Sequence, residues 1–182
     1  VFKQLRYYIH KEDFRRMIIS GYNSPNYLEV QHRGDEYREQ TVYEINAYGY
    51  SVGFFAEFLY MLIRLYFASD RGFTPYVCWG KEFLYYEEDG VNDEYNAFLY
   101  YFKPVSDVLS VERASHVIES KYEHIHSVQD ELDTHGYSVS DAYMICLSSM
   151  IKKYIRYNDK TKDYLEEGYD SIIGDKKALA VH

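Results

Sequence analysis

A glycine loop is the first feature of the sequence whose residue types could do chemistry. Gly49 and Gly53 stand four residues apart between a strand-like run and a helix-like run, with Ser51 between them and Phe54 after them. Glycine permits backbone angles and close ligand approach that larger residues forbid. Amides that open a following helix could then face a phosphate or a sugar oxygen. The spacing lacks the third glycine of the dinucleotide fingerprint, so a tight turn without a ligand stays an equal alternative.

Aromatic residues form the second candidate site. Trp79 ends an apolar run, and Tyr85 and Tyr86 follow it closely in the sequence. Such rings can stack on a sugar, since each combines an apolar face with a polar edge. The same three residues are equally compatible with an ordinary core.

Two polar groups could bind a metal or act as a base, and neither is favoured. His116, Glu119, Glu123 and His126 would share a helix face, but their spacing matches no established metal signature. The acidic residues at 87–89 show no burial or charged neighbour that would tune a catalytic carboxylate. A solvated surface is the preferred interpretation of both groups, and the sequence predicts neither a metal nor a cofactor.

The elements around the glycine loop predict a parallel α/β unit. Residues 41–48 alternate like a strand, with residues 27–32 as a possible partner strand. A helix is expected over residues 54–71, closed by Gly72, and a buried strand over residues 74–79. Strand, helix and strand in this order imply a parallel pair. The expected fold class is α/β: a small, mostly parallel sheet flanked by helices, in a Rossmann-like domain.

Further helices and one more strand are expected outside this unit. Ser138 is the expected N-cap of a helix, with Asp141 three residues later. The last helix, over residues 160–173, should turn its apolar residues inward, among them Tyr164, Leu165 and Tyr169. The helix that follows Ser138 is expected to carry one apolar stripe, Tyr143, Leu147, Met150, Ile151 and Tyr154. The other expected elements are helices over residues 2–19 and 111–130, and a strand over residues 178–182.

Composition restricts the class of protein. The chain has 182 residues, a hydrophobic content of 47% and no internal repeat or linker, which predicts one folded domain over residues 1–182. A formal net charge of −9 disfavours nucleic acid as a partner. Two cysteines in apolar segments, no signal sequence and no membrane-spanning run predict a cytoplasmic protein. A peripheral position on the inner face of the membrane is compatible with the same features.

Several motifs together resemble a bacterial fucosyltransferase-like family. The resemblance rests on Gly49-Tyr-Ser-Val-Gly-Phe-Phe55, on Asp70-Arg-Gly-Phe-Thr-Pro-Tyr-Val-Cys-Trp79 and on Asn96-Ala-Phe-Leu-Tyr-Tyr-Phe-Lys-Pro104. Tyr164-Leu-Glu-Glu-Gly-Tyr169 and the closing Lys177-Ala-Leu-Ala-Val-His182 are similar to further family stretches. Relatives of this family include α-1,6-fucosyltransferases, rhizobial nodulation fucosyltransferases and protein O-fucosyltransferases.

The resemblance implies one half of a two-domain, GT-B type glycosyltransferase. It implies GDP-fucose or a related GDP-sugar as donor, a glycan hydroxyl as acceptor, an inverting transfer and no obligatory metal. In the family, an arginine two residues beyond the histidine that matches His182 holds the donor phosphates. The sequence stops at His182, which predicts a truncated, amino-terminal, acceptor-side domain without the donor domain and without activity alone. Ser51 replaces a family glycine in the cleft-facing loop.

Two alternatives remain open at this level. A chain of the same descent could bind a glycan or a protein without catalysis. A chain of different descent could be a helical interaction domain that docks a protein through its many tyrosines, of which the sequence has 23. Self-association through the uncovered apolar edge at residues 178–182 is also expected.

Overall fold

A small parallel sheet forms the centre of the molecule. The computed structural model describes residues 27–49, 52–132, 140–172 and 174. Strands β1 (Val42–Asn46), β2 (Thr74–Cys78) and β3 (Val117–Glu119) pair in the order β2-β1-β3, and both pairings are parallel. The expected α/β class with a parallel sheet and flanking helices is confirmed. Since β1 is the middle strand, it reads as a nearly continuous buried run, as strands covered on both faces do.

The β1–helix–β2 unit matches its sequence prediction closely. Helix α1 (Phe54–Asp70) follows the glycine loop and carries the chain back to the start of β2. It ends where Gly72 adopts a φ of +70°, a left-handed conformation that glycine takes without strain. The buried residues of α1 pack against the ring of Tyr43 and the side chain of Ile45 in β1.

Three more helices follow β3. They are α2 (Tyr122–Glu131), α3 (Asp141–Tyr154) and α4 (Asp159–Ile172). Helices α2 and α3 both pack on α1, so one face of the sheet carries a layer of helices and the main hydrophobic core. Short 3-10 turns occur at Ala97–Tyr100 and Val111–Arg113. No helix in the described ranges has the length and apolar character needed to cross a membrane.

The opposite face of the sheet has a smaller core covered by irregular chain. Its cluster consists of five buried side chains, Val42, Val108, Val111, Ala114 and Val117. The segment that carries Gly34 crosses this region so closely that a Cβ on Gly34 would lie 2.5 Å from the carbonyl oxygen of Arg113. The glycine is therefore required by the close approach of two backbones.

Side chains rather than a fourth strand close the outer edge of β2. The amide of Asn96 accepts a hydrogen bond from the Trp79 N–H at 2.9 Å and donates one to the Val77 carbonyl at 2.7 Å. The hydroxyl of Ser106 donates to the carbonyl of Pro75 at 2.7 Å. These contacts satisfy an edge that would otherwise offer free backbone groups to another chain.

Two expected elements are wrong in the described part of the chain. Residues 27–32 do not pair with β1, because Gln31 instead forms an antiparallel bridge with Val117 of β3. Residues 111–130 are not one helix, because they contain the turn Val111–Arg113, strand β3 and then α2. The stretch is extended at Val117–Glu119 because these residues pair with Val42, Tyr43 and Glu44 of β1.

The helices near the carboxyl end differ from expectation in two details. Ser140 caps α3 by accepting a hydrogen bond from the Tyr143 N–H at 3.1 Å, while the expected cap, Ser138, lies outside the described residues. The inward orientation expected for Tyr164, Leu165 and Tyr169 in α4 is wrong, since all three side chains are exposed. The helix expected over residues 2–19 and the strand expected over residues 178–182 also lie outside the described residues.

Candidate functional site

The loop after β1 lies at the carboxyl edge of the parallel sheet, where ligands of open α/β sheets bind. Gly49 has a φ of +144°, so its backbone conformation requires glycine even though a Cβ would meet no atom within 4 Å. Gly53 is the N-cap of α1 at an ordinary φ of −68° and gives the helix no side-chain cap. The first-turn amides of α1 are therefore open to solvent or to a ligand. Ser51 lies outside the described residues.

A buried ion pair beneath this loop fixes its path. Glu57, in the first turn of α1, is fully buried, and its Oε2 accepts a hydrogen bond from the Tyr48 N–H at 2.7 Å. Arg64, about two helical turns further on, donates to the Asn46 carbonyl at 2.7 Å and lies 3.8 Å from Glu57 Oε1. Burial raises the pKa of the Glu57 carboxyl, while the Tyr48 amide and Arg64 act in the opposite direction.

This ion pair leaves the loop without a net charge of its own. The carboxylate of Glu57 lies against the amino end of α1, where the helix dipole favours an anion. Arg64, 3.8 Å from Glu57 Oε1, offsets this negative charge. The pair therefore gives the site no preference between a neutral ligand and a phosphate.

Four aromatic rings lie beside the loop and form what we call the aromatic surface: Phe54, Phe55, Tyr85 and Tyr101. The Phe54 ring is its centre, with ring centroids at 5.5 Å from Phe55, 6.4 Å from Tyr85 and 6.0 Å from Tyr101. Phe54 is half-buried, whereas Phe55, Tyr85 and Tyr101 are 85%, 46% and 40% exposed. Because groups of exposed large rings occur at binding sites, this surface is the candidate site of the chain.

The three residues predicted to stack on a sugar differ in how far they are exposed. Trp79 is fully buried, with its ring stacked on Phe83 at 4.7 Å and its edge toward Phe54 at 6.1 Å. It therefore forms the floor beneath the aromatic surface and has no exposed face for a sugar. Tyr85 lies on the surface itself, and Tyr86 is half-buried against the main core. The structure thus brings Gly53, Phe54, Trp79 and Tyr85 together.

The other chemical candidates do not assemble into a site. The expected helix face of histidines and glutamates is wrong, because His116 precedes β3 and Glu119 ends it, while Glu123 and His126 lie in α2. Within the part of the chain that the structure describes, no three His, Cys, Asp or Glu residues are placed to hold a metal ion. The acidic residues at 87–89 are exposed, as their solvated interpretation requires.

His124 belongs to the core network, not to the candidate site. Its Nε2 lies 2.8 Å from the Tyr27 carbonyl, which can only accept, so Nε2 carries the hydrogen. The Nδ1 atom then accepts from the Tyr43 hydroxyl at 2.7 Å. Burial is the main cause that lowers the pKa of His124 to about 4, so the ring is neutral near pH 7.

Four residues that shape the site were not singled out as site residues from the sequence, although Phe55 ends the loop that was expected to face the cleft. Phe55 and Tyr101 complete the aromatic surface, and Glu57 and Arg64 anchor the loop. The signal for Phe55 was its place beside Phe54 at a helix start, since neighbours on a helix face different directions. The signal for the ion pair was two charges seven residues apart inside an apolar helix, which places them on one buried face.

Comparison of the chain with protein-family models, with curated proteins and with solved structures finds no match. His182, the residue that resembles the start of a donor-binding motif, lies outside the described residues. The candidate site therefore rests on the loop and the aromatic surface alone.

Proposed function

We propose that this chain is the acceptor-side, Rossmann-like domain of a GT-B type glycosyltransferase and that its aromatic surface binds a glycan. The observation that carries the proposal is the position of the exposed rings of Phe55, Tyr85 and Tyr101 beside the glycine loop. They lie at the carboxyl edge of a parallel sheet, the place where this architecture binds ligands. Aromatic faces suit the apolar faces of sugar rings, and their polar edges accept or donate hydrogen bonds.

The sequence resemblance, rather than the charge of the loop, favours the acceptor over the donor as ligand of this domain. By its sequence resemblance, the parent enzyme transfers fucose or a related sugar from the GDP-sugar to a glycan hydroxyl. In that scheme the donor phosphates are held by the opposite domain.

A non-catalytic glycan-binding domain is the second candidate, and the same aromatic surface supports it. Glu57 is not available as a general base on this surface, because it is buried under the loop and holds the Tyr48 amide. The transferase and the glycan-binding domain differ in whether GDP-fucose is consumed. The complete gene product, incubated with GDP-fucose and glycan acceptors, should release GDP if it is a transferase and should only bind the glycan otherwise.

The glycan site is tested by substituting its exposed rings. A glycan array first identifies an oligosaccharide that the wild-type chain binds. Phe55→Ala and Tyr85→Ala should each weaken the affinity for this oligosaccharide about ten-fold, which corresponds to ~1.4 kcal/mol of binding free energy. Isothermal titration calorimetry measures the affinities. Because Phe55 is 85% exposed, its removal should leave the fold intact, as the thermal midpoint will show.

The matched control is Tyr95→Ala. Tyr95 is a 60% exposed tyrosine that has no ring contact with Phe54, so its loss should leave glycan affinity unchanged. Absence of glycan binding by the wild-type chain, or equal weakening by the control, would overturn the site.

A further inference from the structure

A cavity lies at the outer edge of β2, apart from the aromatic surface. Its volume is about 270 Å³. That is just below the roughly 300–1,000 Å³ of sites for drug-sized molecules, so it suits a smaller ligand. No lysine or arginine is among the described residues that line it, and neither is any of the four rings of the aromatic surface. Most of its wall is apolar and consists of Phe98, Leu99, Pro104, Val105, Val108 and Leu109.

One backbone donor of β2 remains unpaired at this cavity. The Thr74 N–H bonds to the Thr41 carbonyl, so alternate residues of β2 face β1, and Val77 faces outward. The Val77 carbonyl accepts from Asn96, but no described residue accepts from the Val77 N–H. Val77 is 4% exposed and lines the cavity. Since buried N–H groups are rarely left without an acceptor, a ligand oxygen would stabilise this edge.

Two side chains add further polar groups to the cavity. The Asn96 oxygen accepts from the N–H groups of Trp79 and Phe98. The Asn96 nitrogen uses one hydrogen on the Val77 carbonyl, so its second hydrogen is a further donor. Glu94 lines the same cavity and is exposed, and its carboxylate can only accept. The polar groups therefore combine two N–H donors with one carboxylate acceptor.

We propose that this cavity binds a small uncharged molecule through a secondary amide, as an N-acylated amine carries. The amide oxygen accepts from the Val77 N–H and from the Asn96 nitrogen. The amide N–H donates to the Glu94 carboxylate. The apolar groups on either side of the amide pack against the aliphatic wall. The site is independent of the proposed glycan site.

Other ligand classes match these groups less well. A carboxylate would enter an apolar cavity without a cation and beside Glu94, which is unfavourable. An ammonium group would leave the Val77 N–H without an acceptor. An added β-strand needs a row of free backbone groups. Here Asn96 occupies the Val77 carbonyl, Ser106 occupies the Pro75 carbonyl, and Pro75 has no N–H.

A neighbouring cavity provides a matched control. It has a volume of about 360 Å³ and shares Glu94, Leu99 and Pro104 with the first. Val105 lines only the first cavity, and Val91 lines only the second. The same substitution at these two valines therefore fills one cavity or the other.

A titration of the full chain with N-methylacetamide, followed by proton–nitrogen correlation NMR, tests the proposal. The Val77 amide resonance should move downfield and saturate in the millimolar range, because its N–H gains an acceptor. The Ile45 amide, in the middle of the sheet, should stay in place. Acetate should give no saturable shift. An unmoved Val77 resonance, or a saturable shift with acetate, would overturn the proposal.

Filling the cavity tests the location of the ligand. Val105→Phe should raise the dissociation constant of N-methylacetamide at least about ten-fold, because the ring occupies the space of the ligand. Val91→Phe should leave the dissociation constant unchanged. The thermal midpoint shows whether each variant is folded. Equal dissociation constants in the two variants would place the ligand elsewhere.

Glu94 variants test the amide N–H, and the exposure of Glu94 makes them safe for the fold. Glu94→Ala should weaken N-methylacetamide binding about five-fold, through the loss of one hydrogen bond. Binding of methyl acetate, which has no N–H, should not change. Glu94→Gln keeps an acceptor oxygen and should recover most of the affinity for N-methylacetamide. Equal weakening of both probes by Glu94→Ala would exclude a secondary amide as the ligand.

Two larger probes distinguish the sources of a secondary amide. N-butylacetamide represents an N-acylated amine, and N-acetylglycine methylamide represents a peptide. The acylated amine should bind more tightly, because its alkyl chain packs on Leu99 and Val105. The second amide of the peptide would be buried without a partner. Tighter binding of the peptide would overturn the assignment to an acylated amine.

Discussion

At the scale of single residues, buried polar groups decide where the chain is rigid. The Tyr43 hydroxyl, the His124 ring and the Tyr27 carbonyl form one chain of hydrogen bonds across the core. Glu57 and Arg64 hold the backbone at the end of β1 in the same way. Since a buried polar group without a partner destabilises the fold by about 1–3 kcal/mol, each of these contacts specifies one conformation.

The buried His124 predicts a loss of stability in mild acid. Its pKa falls from the ordinary 6.5 to about 4 in the folded chain, mainly through burial. The unfolded chain therefore binds a proton first as the pH falls. The contribution of His124 is fully present above about pH 6.5 and is lost progressively as the pH falls through about 4, a total of about 3 kcal/mol. Urea unfolding across this range measures the slope.

Two histidine variants separate the effect of His124 on the pH dependence of stability from the effect of the carboxyl groups. Burial raises the pKa of Glu44 and of Glu57, so these groups change stability with the opposite sign. His124→Gln should have lower stability at pH 7 but a flatter slope between pH 6.5 and 4 than the wild type. His32→Gln, at an exposed position, should keep the wild-type slope. Equal slopes in wild type and His124→Gln would show that His124 is not the titrating group.

At the scale of elements, Asn96 takes the place of a fourth strand beside β2. Its oxygen accepts from the N–H groups of Trp79 and Phe98, and its nitrogen donates to the Val77 carbonyl. One side chain thus connects the end of β2 to the 3-10 turn Ala97–Tyr100. This connection also positions Tyr101, the next residue, on the aromatic surface.

Removing the side-chain N–H of Asn96 tests how much its hydrogen bond to Val77 stabilises the fold. Asn96→Asp keeps the acceptor but removes the N–H, and it places a carboxylate against the Val77 carbonyl, so stability should fall by about 1–3 kcal/mol. Asn92→Asp is the control, because Asn92 is exposed at a φ of 55° that aspartate also tolerates. The midpoint of urea unfolding measures both. An equal shift in the two variants would show that the Val77 contact contributes nothing.

The elements that the sequence predicts correctly are those with a strong local pattern. The β1–α1–β2 unit has strand alternation, a helical apolar stripe and a terminating Gly72, and all three act over short distances. Strand β3 has only three residues, and its pairing with Val42 joins positions far apart in the chain. No periodicity can be read from so short a strand, so its surroundings were predicted as helix. The apolar stripe of α4 could be recognised in the sequence, but such a stripe does not show whether the rest of the chain covers it.

At the scale of the whole molecule, the two faces of the sheet are built differently. One face carries helices α1, α2 and α3 over the main core, and the other carries irregular chain over five buried side chains. The candidate site lies at the edge shared by both. Its loop was predictable from Gly49, whereas the aromatic surface was only partly so, because Tyr85 and Tyr101 reach Phe54 through turns that show no periodic pattern.

The two faces of the sheet should differ in local stability, because one has a much smaller core than the other. The N–H groups of Gly34 and Glu36 bond to the carbonyls of Ala114 and Arg113, at 2.9 and 2.7 Å, in the face with the smaller core. Fewer buried contacts hold these bonds, so they should break by local opening while the helical face stays folded. The amides of β1 should exchange with solvent deuterium only through global unfolding. Native-state hydrogen exchange should therefore give Gly34 and Glu36 a lower opening free energy than Ile45, and an equal value would show that both faces unfold as one unit.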